Sequence, residues 1–245
     1  MTTLRAMVPM CLISFAAMGQ IHPHFGVQVG VPITDTLTSS SFTSSDSTSA
    51  SVDRYHSATK RFLVGPSFRV ELTHGLGLEF DALYQRVDYD HFTLSSSTGN
   101  YLSQSFERTK GDRWQFPLLV QYGFNVARLH PFVEAGPTIS RITNVAGQIN
   151  TISNFVGFTN SSSRYPVSGS TGPQAGFTSG GGLDFSYHRF HLRPEVRFSR
   201  WFAQTGSASV FLAISPIISG RTAIQGASSF RTTQNEASFL LGISF

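Results

Sequence analysis

The chain has 245 residues, of which 40% are hydrophobic and only 13% are charged. A soluble domain carries about 25% charged residues, so the composition disfavours an ordinary soluble domain. No run of 18 apolar residues occurs, which excludes a helical membrane protein. The formal net charge is +4, but no basic cluster is longer than Lys60-Arg61, so no nucleic-acid partner is expected.

The N-terminus has the layout of an export signal. Arg5 supplies a positive charge, residues 6–17 are mostly apolar, and Ala17 and Gly19 place small residues before a cleavage site. We therefore predict a cleaved signal peptide over residues 1–19, and the alternative is a buried N-terminal helix. The mature chain, residues 20–245, would then lose Cys11 and carry no cysteine.

Period-two hydrophobicity dominates the mature chain and predicts β-strands, because alternate residues of a strand share a face. In each segment a continuous apolar face lies opposite Gly, hydroxyl or charged residues. The eight predicted strands, in chain order, cover residues 25–33, 62–72, 78–84, 114–124, 133–139, 175–187, 190–198 and 239–245.

The second face of these segments carries charge in mid-strand. Its charged residues are Arg69, Glu71, Glu79, Asp81, Glu134, Asp184, Arg193, Glu195 and Arg197. A soluble barrel would turn its apolar face inward and show abundant Lys and Glu outside, yet this chain has two Lys. The pattern therefore favours a barrel with lipid outside and a polar lumen.

The connections alternate in length. Three short turns are predicted at residues 73–75, 126–130 and 188–189, and four long loops at about 35–61, 91–112, 143–173 and 203–234. Transmembrane barrels have short periplasmic turns and long external loops, which this alternation matches. In residues 36–51, Ser or Thr occupies 12 of 16 positions, so we expect a mobile segment without a core.

The fold class is thus predicted as all-β: a transmembrane, up-and-down, antiparallel barrel of eight strands. Residues 209–219 (SVFLAISPIIS) are too apolar for a plain loop. They could form an extra strand, a rim hairpin or a plug. Because bacterial single-chain barrels have even strand numbers, the alternative is ten strands.

Several stretches resemble the small bacterial outer-membrane β-barrel family, the porin-like or OmpA-type barrel domain. They are GLGLEFDALY, WQFPLLVQYGF, HPFVEAGPTIS, GGGLDFSYHRFHLRPEVRFSRW and ASFLLGISF, which together span most of residues 25–245. The resemblance implies location in the bacterial outer membrane. It does not fix the activity, because this family includes structural barrels, adhesins, pores and lipid-modifying enzymes.

The nine mid-strand charges are the candidate functional residues. An eight-stranded barrel is narrow enough for side chains to fill it, so these charges must pair or stay hydrated. We expect a structural ion-pair plug, with a gated pore as the alternative. We expect no enzyme, because only His56 and His91 among the histidines lie near the outer side, and the many serines beside them are ordinary loop residues. No cofactor or metal site is expected.

The last strand carries an expected assembly signal. Phe239, Leu241, Ile243 and Phe245 alternate up to the C-terminus and resemble the signature that barrel-assembly machinery reads. The expected partners are that machinery, outer-membrane lipid and an unknown surface ligand. Trp114 fits an aromatic belt at the lipid surface. Trp201, by strand alternation, does not fall on the lipid face, so either a bulge shifts the strand before it or it caps the mouth of the barrel.

Overall fold

A computed structural model describes residues 22–97, 101–124, 130–155, 161–169, 171–187, 190–202 and 232–245. The predicted signal peptide and residues 209–219 lie outside these ranges. The strands are β1 (His22–Pro32), β2 (Ser40–Ser45), β3 (Ser49–Ser57), β4 (Leu63–Glu71), β5 (Leu76–Asp81), β6 (Leu83–Ser97), β7 (Tyr101–Gly123), β8 (His130–Phe155), β9 (Ser161–Gly169), β10 (Gln174–Tyr187), β11 (Phe190–Trp201) and β12 (Asn235–Ser244).

Eight wall strands close into an antiparallel barrel, which confirms the predicted fold class. Around the ring the order is β1, β4, β5 continued by β6, β7, β8, β10, β11 and β12, and β12 pairs with β1. β5 and β6 keep one register against β7 and form one wall strand. The interruption at Ala82 lies opposite Pro66, which has no N–H to donate to the ladder.

Several strands project beyond one end of the barrel. There they form a projecting sheet in the order β2-β3-β6-β7-β8-β9. We call this the sheet end, and the opposite end, which carries the short turn Thr73–Gly75, the turn end. Three of the expected loops therefore contain β-structure, whereas most of 203–234 lies outside the described residues. Ser and Thr can join a ladder because its hydrogen bonds come from the backbone.

A β-bulge at Asn144 separates the half of β8 that belongs to the barrel wall from the half that extends beyond the barrel. The register against β7 shifts by one residue between Lys110 and Asp112, and Asn144 has a φ of 52°. The extra residue lets Ile142 and Val145 both point inward although they are three positions apart. The bulge thus changes which parity faces the interior.

The barrel exposes its apolar face outward over the strands predicted to contact lipid. Exposed side chains there include Phe25, Val27, Val29, Val31, Val64, Phe68, Phe80, Trp114, Phe116, Leu118, Val120, Ile139, Phe177, Val196, Phe198, Phe239 and Ile243. Such a surface is unfavourable in water and matches a hydrocarbon environment.

No helix in the described ranges is both long and apolar enough to cross a membrane.

Candidate functional site: the filled lumen

The inward residues of β5 and β6 mark successive layers of the lumen, from its middle to the sheet end. In order they are Glu79, Asp81, Leu83, Gln85, Val87, Tyr89 and His91. The first six are buried and His91 is half-buried. Strand alternation places them all on one face, so each meets a different set of partners across the barrel.

The central layer is organised around the guanidinium of Arg197. Its Nε lies 2.6 Å from Oε1 of Glu134, and its Nη1 lies 2.6 Å from Oδ2 of Asp81. Its Nη2 lies 2.7 Å from Oε1 of Glu79 and 2.9 Å from Oε1 of Glu195. All five side chains are nearly completely buried. Four carboxylates from three strands therefore hold one cation in the middle of the lumen.

Two further arginines extend this layer toward the turn end. Arg193 donates to Oε2 of Glu79 at 2.6 Å and stacks over the ring of Phe132. Arg69 donates to Oδ2 of Asp184 at 2.9 Å. Glu71 is the exception among the nine predicted charges, because its side chain is 45% exposed and lies 3.4 Å from Arg69.

The arginine pairs connect opposite walls of the barrel. In a ring of eight, the strand four places away lies directly across the lumen, and β11 stands in that relation to β5. The contacts of Arg193 and Arg197 with Glu79 therefore cross the barrel, as does the contact of Arg69 on β4 with Asp184 on β10. Each such pair fixes the distance between two walls that share no backbone hydrogen bond.

A second layer nearer the sheet end was missed by the sequence analysis. Arg113 donates to Oε2 of Glu236 at 2.9 Å and to Oγ of Ser140 at 2.9 Å, and its guanidinium lies 5.1 Å from the ring of Trp201. β7 and β12 are also four places apart, so this pair crosses the lumen. Extending the strand parity one residue before Trp114 and three before Phe239 would have placed Arg113 and Glu236 inside.

Trp201 is completely buried and points into the lumen. Of the two interpretations of its parity, the structure supports the one in which it caps the barrel interior. Trp114, in contrast, is exposed on the outer face, as predicted for a belt residue.

An apolar cluster fills the interior above these charged layers. Leu37, Val87, Tyr89, Ile142 and Val145 are all buried and in mutual contact. Leu37 belongs to the Ser/Thr-rich segment 36–51, where no core was expected, so that expectation was wrong at this residue. The burial of Leu37 could not be predicted, because a single leucine among hydroxyl residues has no periodicity.

A polar cluster around His91 joins β3, β6 and β7 beyond the membrane-facing part. The Nε2 of His91 lies 3.3 Å from Asp53 and 3.0 Å from the hydroxyl of Thr93, and its Nδ1 lies 3.5 Å from Glu107. The ring stacks on Tyr55 at 4.2 Å. Burial lowers the pKa of His91, but hydrogen bonds to Glu107 and Asp53 outweigh it, so the pKa is raised above 6.5. The Thr93 hydroxyl donates to Asp53 at 2.7 Å, which leaves it poorly placed to be activated by His91.

A water-accessible vestibule of about 330 Å³ opens at the turn end. Its lining includes Arg69, Glu71, Gln121, His130, Asp184 and His191. The rings of His24 and His191 lie 4.9 Å apart at this end of the barrel. The vestibule ends at the Arg69–Asp184 pair, below the central layer.

Three carboxylates of the central layer have the spacing of a cation site. Oxygen atoms of Glu79, Glu134 and Glu195 lie within 4.8 Å of one another. The guanidinium of Arg197 contacts all three, so an arginine side chain supplies the positive charge there. The arrangement can hold walls together electrostatically, and it offers no ligand set that is independent of Arg197.

The predicted C-terminal residues lie on the outer face of β12. Phe239, Ile243 and Phe245 are exposed there, and Leu241 is half-buried. Phe245 exchanges two backbone hydrogen bonds with Phe25, at 3.0 and 3.3 Å, at the seam where β12 meets β1. The last residue therefore takes part in closing the ring.

The comparison with family models agrees with this architecture. The family model described as an outer membrane protein beta-barrel domain matches residues 18–204. Among solved structures, the chain is similar to Neisserial surface protein A (NspA), with 9% identity and a TM-score of 0.35 over 93% of this chain and 100% of that chain. A search of curated proteins found no match.

Proposed function

The chain belongs to the family of outer membrane protein β-barrel domains and is located in the bacterial outer membrane, and from this premise we propose that it is a non-conducting, non-enzymatic barrel that acts at the cell surface. In this family the short turns face the periplasm, so the sheet end faces the medium. The single observation that supports the proposal is the set of arginine pairs that cross and fill the lumen.

The ion pairs and the apolar cluster inside the barrel favour a structural or surface role over a pore. Glu79 and Asp81 have no exposed surface, and the Arg113 layer and the apolar cluster lie between them and the medium. A solute entering from the periplasm would reach the vestibule and then meet the Arg69–Asp184 pair. Passage would require several buried ion pairs to separate at once, which is costly in a low-dielectric interior.

Liposome swelling tests the closed lumen. Purified protein is reconstituted into phospholipid vesicles, which are then diluted into isotonic arabinose, with a general porin as the positive control. We expect vesicles with this protein to swell no faster than empty vesicles. Swelling at a rate proportional to the protein content would contradict the proposal and support the pore.

The surface role is tested by labelling introduced cysteines with a membrane-impermeant maleimide. Cys11 is the one cysteine of the sequence and lies in the predicted signal. Ser44→Cys, in the exposed hairpin of β2 and β3, should react on intact cells. Ser186→Cys, in the vestibule lining, should react only after the outer membrane is permeabilised. The reverse pattern would invert the proposed orientation.

The absence of an enzymatic role is tested at the His91 cluster. Mass spectrometry of lipid A and phospholipids should show the same acyl composition in cells that express the wild type, His91→Gln or no protein. An acyl change that requires His91 would contradict this part of the proposal.

A further inference from the structure

Basic side chains follow the apolar outer face at the sheet end of the barrel. On β8, Arg141 comes two residues after the exposed Ile139, and on β11, Arg200 comes two residues after the exposed Phe198. Because alternate residues share a face, both arginines point outward. Their neighbours Ile142 and Trp201 are buried, which agrees with this parity.

Arg141 and Arg200 differ from the other arginines at this level. Arg86 is bound to Asp112 at 2.9 Å, and Arg61 lies 3.4 Å from Asp35. Within the described part of the chain, Arg141 and Arg200 form no ion pair, and both are exposed. Their charges are therefore available to a group outside the protein.

Each of these two arginines lies beside an aromatic residue of the outer face. Arg141 pairs with Trp114 across β8 and β7, and Arg200 pairs with Phe177 across β11 and β10. Both aromatic side chains are exposed. Aromatic side chains collect where hydrocarbon meets headgroups, so the two guanidiniums lie at headgroup level.

The opposite border of the barrel has a different character. Outward side chains near the turn end include Leu76, Phe124, Phe190 and Phe245, which are all exposed and apolar. The outward charge of the described residues is thus concentrated at the border facing the medium. An asymmetry of this kind fits a leaflet whose lipids carry anionic headgroups.

We propose that Arg141 and Arg200 bind the phosphate groups of lipids in the outer leaflet. A guanidinium can donate two parallel hydrogen bonds to a phosphate, and the aliphatic stem of the arginine can lie along the neighbouring ring. The partner is a phosphate-bearing lipid, because the acyl chains would pack on the apolar face directly below. Free phosphate has no such anchor and should bind far more weakly.

A fluorescence titration tests the proposal. The folded full-length mature protein in dodecyl maltoside micelles is titrated with diphosphoryl lipid A, and Trp emission gives the Kd. Trp114 lies beside Arg141, whereas Trp201, the second of the two tryptophans, is buried. Heat-modifiable gel migration verifies folding of every variant.

Each arginine near an anionic lipid surface contributes about fivefold to binding, so Arg141→Gln with Arg200→Gln should weaken lipid A binding about 25-fold. The Lys variants at both positions should retain most of the affinity. Arg54→Gln is the matched control, because Arg54 is also exposed and pairs with an aromatic residue, Phe92. Phe92 lies about 26 Å along β6 from Tyr84, which pairs with Trp114, so Arg54 lies well beyond the level of Arg141. This control should bind like the wild type.

Two results with the variants would overturn the proposal. One is a double variant that binds lipid A like the wild type, and the other is an Arg54→Gln variant that loses as much affinity. Competition by millimolar inorganic phosphate would also contradict a lipid-anchored site. If the double variant does not fold, the single variants decide, since each should lose about fivefold.

Discussion

An alanine methyl at Gly180 would lie 3.0 Å from Cγ of Arg197, 3.0 Å from Oε1 of Glu134 and 2.8 Å from the carbonyl oxygen of Val196. The missing side chain on β10 therefore makes room for the central ion pairs. Gly180→Ala should lower the free energy of unfolding by about 1–3 kcal/mol, because overpacking displaces buried partners. Urea unfolding of the folded protein in micelles measures this.

Gly172→Ala is the control for that substitution. A methyl group at Gly172 meets no atom within 4 Å, so stability should change little. Equal losses in the two variants would show that the space at Gly180 is not used by the ion pairs.

Substitution of Arg113 tests the ion pair with Glu236, which crosses the lumen nearer the sheet end. Arg113→Met leaves the buried carboxylate of Glu236 without its cation, so the free energy of unfolding should fall by about 3–5 kcal/mol. Adding Glu236→Leu should recover most of the loss, since both charges are then gone. Arg61→Met removes an exposed pair and should cost less than about 1 kcal/mol. A double variant that is no more stable than Arg113→Met would contradict the pairing.

At the scale of elements, His91 links the β2–β3 hairpin to the sheet through Asp53 and Glu107. The raised pKa of His91 means that the protonated ring contributes its full stability below the unfolded pKa of 6.5. This contribution is lost as the pH rises through the higher folded pKa. The groups that face the ring are Asp53 and Tyr55 from β3, Thr93 from β6, and Glu107 from β7.

Hydrogen exchange of β3 amides measures that dependence. After correction for the intrinsic rate, protection should be greater at pH 6 than at pH 8.5. In His91→Gln the protection should be equal at both pH values. A pH dependence that survives in the variant would show that another group is responsible.

The last strand carries the proposed assembly signal. Phe245→Ala should lower the amount of folded protein in the outer membrane, as measured by heat-modifiable migration in membrane fractions. Phe202→Ala is the control, because Phe202 is 70% exposed and Phe245 is 68% exposed. Unchanged yield for Phe245→Ala would contradict recognition of the C-terminus.

The element pattern of the wall could be predicted because each strand alternates between lipid and lumen over seven or more residues. The projecting sheet could not be predicted, since its serine-rich strands are defined by backbone ladders and not by side-chain periodicity. The bulge at Asn144 also breaks the alternation that sequence reading depends on. For the site, parity identified the inward charges of the central layer but not their partners, because residues such as Arg69 and Asp184 are 115 positions apart.

At the scale of the whole molecule, we propose that ion pairs between opposite walls block the lumen of the barrel. Four carboxylates surround Arg193 and Arg197 in the central layer, a formal surplus of two negative charges. An open lumen would therefore conduct cations in preference to anions. A closed one would conduct neither.

Single-channel recording in a planar bilayer measures this most directly. With the wild-type protein in salt solution, we expect no discrete current steps over the voltages the membrane withstands. Reproducible, ohmic steps that are cation-selective, and whose size changes in Arg193→Gln or Glu79→Gln, would show that the pairs form a gate instead of a permanent closure.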